Sequence, residues 1–275
     1  MQTSPALGSA RGPAPARPRA GAPLVALRGV QKTFASGTTA LAGLDLDIRE
    51  GEFVALLGPS GCGKSTALRI IAGLIEPSAG RVVWPDSAVE DHRGEIGFVF
   101  QEPTLMPWAS AADNVWLPLR LRGVSRRAAA LRIAECLAMV GLSGFAQAYP
   151  RELSGGMKMR VSIARALSLR PRLLLMDEPF AALDEITRFK LNDDLLALQR
   201  EIGCTIVFVT HSIYESVYLA SRIVVMAARP GRIVAEIPVD VPDRDETFRT
   251  SPLYGDLCRR TSQALHGAMA PDEHL

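Results

Sequence analysis

The sequence has no long apolar run, little cysteine and almost no excess charge, and each shortage excludes a class of protein. No stretch approaches the roughly eighteen apolar residues that a membrane-spanning helix needs, so a membrane role would depend on a partner. The four cysteines, Cys62, Cys136, Cys204 and Cys258, lack the spacing of a zinc or redox site, and we expect reduced cytosolic thiols. A formal net charge of +2 gives no reason to expect nucleic acid as the main ligand.

Acidic residues are missing from positions 1–22, which are rich in Ala, Pro, Gly and Arg. This segment has no continuous apolar stretch of the kind that a secretory signal needs, and we predict a disordered tail. The whole chain, with 48% hydrophobic and 22% charged residues, has the composition of a soluble globular protein. We therefore expect a folded body that begins near residue 23.

The most informative stretch is Gly58-Pro59-Ser60-Gly61-Cys62-Gly63-Lys64-Ser65-Thr66, which has the spacing of a phosphate-binding P-loop. Its glycines let the backbone turn its N–H groups onto a phosphate chain. Lys64 can reach the β- and γ-phosphates, and the Ser65 hydroxyl can ligate Mg²⁺. An apolar strand at 53–57 precedes the loop and a helical pattern follows it, so a nucleotide phosphate site is predicted. Cys62 is expected to contribute its backbone, although a redox switch at its thiol is an open alternative.

Two later strands end in residues suited to phosphate chemistry. Leu173–Glu178 is apolar until it ends in two acids, and buried strands rarely end in adjacent carboxylates without a role for them. Asp177 can hold Mg²⁺, and Glu178 can point at an attacking water. His211 follows the strand Thr205–Thr210; a structural histidine and a functional one are equally open from this position alone.

Two further candidates are weaker on their own. Ser154-Gly155-Gly156 directly precedes a predicted helix, where free N–H groups could bind an anion. Considered alone, a simple N-cap loop is the favoured interpretation. Phe34 ends a predicted strand, where its ring could stack on a base or pack in the core, and both alternatives stay open.

The periodicity predicts an α/β fold in which strands alternate with helices and a helical insertion follows the fifth strand. We expect Asp113, Ser125 and Asp184 to be N-caps, and Gly123 and Gly141 to end helices. The first two strands are expected to form a small antiparallel sheet. Strand patterns occur at Leu24–Phe34, Leu44–Ile48, Phe53–Leu57, Gly80–Trp84, Ile96–Phe100, Leu173–Glu178, Thr205–Thr210, Arg222–Met226 and Arg232–Val239. Helical patterns occur at Ala67–Ala72, Asp113–Arg122, Arg126–Val140, Met157–Leu169 and Glu185–Glu201, and the tail from Asp240 is polar with weak helical character.

Taken together, these motifs resemble those of the ATP-binding subunits of ABC transporters, over about residues 23–240. In chain order the P-loop, Gln101, Leu153-Ser154-Gly155-Gly156, Asp177-Glu178, Ala182-Leu183-Asp184 and His211 match the Walker A, Q-loop, signature, Walker B, D-loop and H-loop motifs. The resemblance implies a P-loop (RecA-like) core with an antiparallel β subdomain, a helical insertion at about 103–167 and a C-terminal tail at 241–275.

The resemblance also implies a role for each motif. Two ATP molecules and Mg²⁺ would lie in a head-to-tail dimer, each between the P-loop of one subunit and the Ser154-Gly155-Gly156 of the other. Phe34 would stack on adenine, Gln101 would sense Mg²⁺ and the water, and His211 would contact the γ-phosphate. Glu178 would position or deprotonate the water. The dimer would act at the cytoplasmic face of the membrane, on multi-span permease subunits, with a substrate-binding protein as an indirect partner.

Three longer stretches narrow the resemblance to importers of nitrate, sulfonate, taurine and pyrimidine precursors. They are Met157-Lys158-Met159-Arg160, Phe180–Arg188 and Ala228–Arg232. The main alternative is a non-transport ABC ATPase acting on DNA or ribosomes, but such proteins usually have coiled coils, zinc cysteines or fused ATPase domains, all of which are absent here. A metabolic P-loop kinase would have no use for the signature motif.

The bulky apolar residues Leu105, Met106, Pro107 and Trp108 lie just after Gln101, in a segment rich in turn signals. A loop seldom needs such side chains for itself, so we predict that they receive a short helix of the membrane subunit. The alternative is that they only hold the helical insertion to the core.

Overall fold

The computed structural model describes residues 23–85, 92–241 and 243–268, so the predicted tail at 1–22 lies outside the described residues. The strands are β1 Val25–Thr33, β2 Thr39–Ile48, β3 Phe53–Leu57, β4 Ala79–Val83, β5 Ile96–Val99, β6 Leu173–Asp177, β7 Thr205–Thr210, β8 Arg222–Ala227 and β9 Arg232–Pro238. The helices are α1 Lys64–Ile71, α2 Ala111–Leu121, α3 Ala130–Met139, α4 Gly155–Leu167, α5 Glu185–Ile202, α6 Ile213–Leu219, α7 Glu246–Arg249 and α8 Pro252–Ala268.

The central sheet has six strands in the order β5-β6-β7-β3-β8-β9. The first five are parallel to one another, and β9 runs antiparallel to β8 at one edge. Parallel strands all end at the same edge of a sheet, where open α/β proteins place their ligands. The chain segments that follow β3, β5, β6 and β7 are therefore brought to one side of the molecule.

Side chains of the central strands alternate between two cores, as expected for a sheet covered on both faces. In β3, Phe53, Ala55 and Leu57 pack on the face covered by α2 to α6 and α8. Val54 and Leu56 face the opposite core, which β1, β2 and α1 complete. Because both faces are buried, the strands are almost continuously apolar.

The second sheet is antiparallel with the order β2-β1-β4, which confirms the small antiparallel sheet predicted for the first two strands. It is joined to the central sheet by a bridge between Leu41 and Gly231. The N–H of Gly231 donates to the carbonyl oxygen of Ala40 at 3.0 Å. This bridge fixes the small sheet beside the loop that follows β3.

The structure changes two predicted caps. The helix predicted at Arg126–Val140 begins only at Ala130, so Ser125 is not its N-cap; the Ser125 hydroxyl instead accepts from the N–H of Ala128 at 3.2 Å, within the turn that precedes α3. Ser110 caps α2, since its hydroxyl oxygen accepts from the N–H of Asp113 at 3.1 Å, so the prediction of Asp113 as the N-cap was wrong by one turn. Asp113 instead accepts from the Ser110 hydroxyl at 2.7 Å and pairs with Arg126. Asp184 caps α5 as predicted, accepting from the N–H of Thr187 at 2.9 Å.

The C-terminal segment is more ordered than its sequence suggests. The weakly helical tail forms a 17-residue helix, α8, that packs against α6 and β8. Leu257 and Thr261 are buried, and the ring of Phe248 lies between those of Tyr218 and Tyr254. The spacing of the few apolar residues is helical, but burial of this face rather than local propensity stabilises the helix. No helix among the described residues combines the length and the apolar character needed to cross a membrane.

Candidate functional site

The loop between β3 and α1 contains glycines that the packing requires. A Cβ atom at Gly58 would lie 2.6 Å from the carbonyl oxygen of Met226, closer than real contacts allow. Gly63 has a φ of +92°, and a Cβ there would lie 2.7 Å from the carbonyl oxygen of Ala40. Since α1 begins at the next residue, the unpaired N–H groups of its first turn lie at the loop, where they can bind an anion.

Lys64, the first residue of α1, turns back over this loop and is 4% exposed. Its Nζ atom donates to the carbonyl oxygens of Gly58 at 2.8 Å and Pro59 at 3.0 Å. The same ammonium lies 3.9 Å from Oε1 of Glu178. A positive charge is thus held inside the loop, at the place where the motif predicts phosphate.

Ser65 at the start of α1 and Asp177 at the end of β6, both predicted to hold Mg²⁺, are in contact. The Ser65 hydroxyl donates to Oδ1 of Asp177 at 2.7 Å. Burial raises the pKa of the Asp177 carboxyl, and the hydrogen bond from Ser65 opposes that shift. A hydroxyl and a carboxylate are hard oxygen donors that fit Mg²⁺, which takes only one or two protein ligands when phosphates and waters complete its shell. Within residues 23–85, 92–241 and 243–268, no group of three or more His, Cys, Asp or Glu could form a protein-only metal site.

Glu178 has the backbone of a residue held in place by its surroundings. Its φ of +46° lies in the left-handed region, which is uncommon for a residue other than glycine and is tolerated when neighbouring structure enforces it. Its N–H donates to the carbonyl oxygen of Val209 in the adjacent strand at 3.1 Å. The carboxylate is therefore aimed by the sheet, with Lys64 on one side of it.

His211 lies on the other side of that carboxylate, in the turn after β7. Its Nδ1 is 3.5 Å from Oε2 of Glu178, and its side chain is 57% exposed. The structure thus brings together five predicted residues from three strand ends, because β3, β7 and β6 are neighbours in the sheet. The set comprises Lys64, Ser65, Asp177, Glu178 and His211.

A family model described as "ABC transporter" matches residues 41–181, a span that includes the phosphate loop, the signature and the Asp177-Glu178 pair. The chain belongs to this family. It is an ABC-type ATPase, and the phosphate loop and the acidic end of β6 lie together in its structure.

Curated relatives agree with this membership of the ABC family. The aliphatic sulfonates import ATP-binding protein SsuB 1 of Pseudomonas syringae is 47% identical over 242 residues, which cover 88% of this chain and 94% of the relative. The taurine import ATP-binding protein TauB of Rhizobium johnstonii is 44% identical over 233 residues, which cover 82% of this chain and 89% of the relative. A dimeric ATP-binding cassette, solved in a post-hydrolysis state with ADP and Pi, superposes with a TM-score of 0.68 at 39% identity, covering 79% of this chain and 99% of that chain.

The signature of this ABC ATPase lies at the start of α4. Ser154 caps that helix by accepting from the N–H of Met157 at 3.3 Å, so the simple N-cap geometry is present. Gly156 is required by packing, because a Cβ there would lie 2.7 Å from Cγ2 of Thr187 on α5. Across the described part of the chain, no hydrogen bond or ion pair joins Ser154 or Gly155 to the phosphate loop, and both residues are exposed. The chain therefore does not bring its own signature onto its own loop.

The remaining predicted ATP contacts, Phe34 and Gln101, lie at the edge of the site. Phe34 directly follows β1 and is 42% exposed, with Nζ of Lys32 5.5 Å from its ring centroid; it is not a core residue. Gln101 is exposed just beyond β5, at the same sheet edge as Asp177. Both side chains are available to a ligand.

Two residues that the sequence motifs did not indicate, Asn114 and Arg165, form hydrogen bonds with the backbone of the predicted docking segment at 104–109. Buried Asn114 accepts from the N–H of Met106 at 2.8 Å and donates to the carbonyl oxygen of Ala109 at 3.1 Å. Arg165 donates to the carbonyl oxygen of Thr104 at 2.8 Å. The sequence signal for Asn114 is a polar side chain on an otherwise apolar helix face, whereas Arg165 shares its face with Lys158 and Ser162 and has no such signal.

The same segment presents its largest side chain outward. Trp108 is 76% exposed, whereas Leu105 is partly buried against the core. Leu105 therefore does hold the segment to the core, as the alternative supposed, but Trp108 does not. The segment is a fixed turn carrying an exposed indole.

Cys62 lies inside the phosphate loop and is fully buried. Burial raises the pKa of its thiol, and the charge of Lys64 only partly opposes this shift. A buried thiol of raised pKa is a poor nucleophile, so the geometry gives the redox-switch alternative no support.

Proposed function

We propose that this ABC ATPase powers a membrane importer for a small anionic or heterocyclic nutrient of the nitrate, sulfonate, taurine or pyrimidine-precursor type. The observation that carries the catalytic part is the Glu178 carboxylate, which is fixed between Lys64 and His211 one residue after Asp177. The names of the sulfonate and taurine import relatives support the transported class. The chain would lie at the cytoplasmic face of the membrane through its permease, and a substrate-binding protein would act on it only indirectly.

ATP would be bound through its phosphates by the loop at 58–66. The N–H groups at the start of α1 and the Lys64 ammonium would hold the β- and γ-phosphates. Ser65 and Asp177 would hold Mg²⁺, with Gln101 at the edge of its shell, and the ion would neutralise charge on the phosphate oxygens. Phe34 would stack on the base, for which its exposed ring is suited.

Glu178 would accept a proton from the water that attacks the γ-phosphate. The φ of +46° and the hydrogen bond to Val209 fix the backbone of Glu178, and Lys64 and His211 flank its carboxylate; a general base must be held in position in this way. His211, 3.5 Å away, would orient Glu178 and contact the γ-phosphate. No covalent intermediate is needed, because positioning and charge stabilisation account for phosphoryl transfer to water.

A second ATPase subunit would complete each site. The exposed Ser154 and Gly155, at the N-terminal end of α4, can bind the γ-phosphate held by the other subunit's loop. ATP would then join the two subunits, and hydrolysis would remove the bridge and let the dimer open. The dimeric cassette with ADP and Pi supports this arrangement by analogy.

The membrane subunit would dock on the segment that contains Leu105, Met106 and Trp108. The backbone of this segment is fixed by Asn114 and Arg165, so a partner meets a preformed surface with an indole anchor. Its position directly after Gln101 would let the nucleotide state reach the permease.

The function as a whole is tested by capture and uptake. The tagged full chain, purified from detergent-solubilised membranes of its source, should bring down a multi-span membrane protein. Deletion of the chain should abolish uptake of a sulfonate or a related substrate, and the wild-type chain but not Lys64→Ala should restore it. Capture of ribosomes or DNA without a membrane protein would overturn the transporter role and favour a non-transport ABC ATPase.

A further inference from the structure

A partly buried ion pair lies beside Glu178 and His211, outside the six nucleotide motifs, although one member, Arg188, ends the stretch at 180–188. Arg188 on α5 places its Nε 3.7 Å from Oε1 of Glu215 on α6. Glu215 is only 7% exposed, unlike the ion pairs of the protein surface. The pair lines a small cavity together with Glu178 and His211.

One end of this pair holds the loop before α5. Nη2 of Arg188 donates to the carbonyl oxygen of Leu183 at 2.8 Å. The side chain of Leu183 lies 3.4 Å from where a Cβ of Gly155 would stand. A single residue, Leu183, therefore lies between Arg188 and the signature of the same chain.

The other end holds the turn that carries His211. Oε2 of Glu215 accepts from the Thr210 hydroxyl, and Oγ1 of Thr210 accepts from the N–H of Ser212 at 3.0 Å. The N–H of Glu215 in turn donates to the Ser212 hydroxyl at 3.3 Å. The residues on both sides of His211 therefore contact Glu215: Thr210 contacts the Glu215 carboxylate, and Ser212 contacts the Glu215 backbone N–H.

We propose that Arg188 and Glu215 are positioning residues that couple the Leu183 loop to the orientation of His211 against Glu178. This inference rests on the proposed roles of Glu178 and His211. Neither residue touches the reacting atoms; they act through the peptide of Leu183 and the turn at Thr210.

The chemistry of the pair suits this role. A guanidinium can bond a carbonyl through one nitrogen while facing a carboxylate with another, which a lysine ammonium does less well. Removing Arg188 leaves the Glu215 charge buried and uncompensated, and removing the Glu215 charge leaves the partly exposed Arg188 without its carboxylate partner. The two contacts are therefore expected to fail together. Burial raises the pKa of Glu215, opposed by the Thr210 hydrogen bond and by the charge of Arg188. The carboxylate therefore relies on both partners.

The test compares steady-state ATPase kinetics of the full chain and its variants. Glu215→Gln breaks the ion pair and should lower kcat about ten-fold, which is less than the roughly hundred-fold loss that a 1 Å misplacement near reacting groups can cause. KM for ATP should stay within about two-fold, since the phosphate loop is untouched. Arg188→Gln should have the same effect, and the Arg188→Gln/Glu215→Gln double variant should be no worse than either single one, because the residues act as a unit. Arg188→Lys should recover part of the rate.

Glu52→Gln is the matched control. Glu52 is also 7% exposed and pairs with Arg222 at 2.7 Å, but it lies at the opposite end of β3 from the phosphate loop. It should lower the melting temperature while leaving kcat and KM unchanged. Should Glu215→Gln fail to fold, Thr210→Val removes the hydroxyl that reaches Glu215 at nearly equal volume, and it should reduce kcat with KM preserved.

Two results would overturn the coupling alone. The first is a wild-type kcat in Glu215→Gln or, if that variant fails to fold, in Thr210→Val. The second is a kcat in the double variant that falls by the product of the two single-variant losses. Glu178→Gln, measured in parallel, separates this outcome from failure of the proposed function. An inactive Glu178→Gln beside a fully active Glu215→Gln refutes only the coupling. A wild-type rate in Glu178→Gln refutes both.

Discussion

The phosphate loop and the signature differ in how much of their bonding is completed within one chain. At the phosphate loop, Lys64 is buried and bonded to two loop carbonyls, and Ser65 is bonded to Asp177. At the signature, the hydrogen bonds of the Ser154 hydroxyl within the described part of the chain are limited to its own helix cap, and Gly155 is exposed. The first is a closed site inside one subunit, and the second is a surface.

The difference has a simple physical origin. Buried polar groups need partners, so the loop and the acidic strand end satisfy one another where β3 and β6 end. The start of a helix that faces solvent can leave its N–H groups to water until a ligand arrives. A site divided in this way can respond to nucleotide by association of subunits, and the following changes test that division.

The largest effect is expected at the phosphate-loop site. Glu178→Gln removes the proposed proton acceptor while keeping shape, so turnover should fall by about two orders of magnitude or more. ATP binding should persist, since Lys64 and the loop are unchanged, and an ATP-bound dimer should accumulate. Phosphate release and size-exclusion chromatography measure the two effects. Near wild-type turnover would contradict the assignment.

The signature is tested in the Glu178→Gln background, in which hydrolysis is expected to be slow. Ser154→Arg adds bulk and charge where the second subunit's γ-phosphate would lie, so ATP-dependent dimerisation should be lost while ATP binding to the monomer remains. Ser125→Arg, at the exposed turn before α3, is the control and should leave dimerisation intact. If the Ser154→Arg protein still dimerises with ATP, the shared site is refuted.

A second exposed surface extends the comparison. Trp108→Glu should abolish pull-down of the membrane subunit and transport, while ATP binding and the melting temperature change little, because a side chain that is 76% exposed contributes little to folding. Leu131→Glu, at a residue that is 73% exposed on α3, should keep the partner. Assembly of the Trp108→Glu variant with its permease, or its unfolding, would rule out the docking role.

The smallest effect is expected at Phe34, at the edge of the phosphate-loop site. Phe34→Ala should weaken ATP binding about five- to ten-fold, the order of one base stack, and Phe34→Tyr should stay within about two-fold because it keeps the ring. Titration of a fluorescent ATP analogue measures both. Equal affinity in Phe34→Ala would mean that the ring does not stack on the base.

Much of the fold could be predicted because it depends on local patterns. The apolar strands at 53–57 and 205–210 and the cap at Asp184 occur as predicted, and the strand predicted at 173–178 ends one residue earlier, at Asp177. Helix starts were harder to predict, because a cap is a contact between residues three apart and two polar residues can compete for the cap position. Ser110 caps α2, with Asp113 as its partner, and α8 forms where tertiary packing outweighs a polar sequence.

The residue types that phosphate chemistry needs, and their order, can be read from the chain alone: the glycines and Lys64 of the loop, the acids at the end of β6, and His211 after β7. Which of these residues meet depends on how the strands and helices pack. Parallel pairing places β6 and β3 on either side of β7, and packing of α5 near α6 brings Arg188 to Glu215, 27 residues later in the chain. Contacts of this kind leave no local periodicity, because their partners are fixed by how whole elements pack rather than by the spacing within one of them.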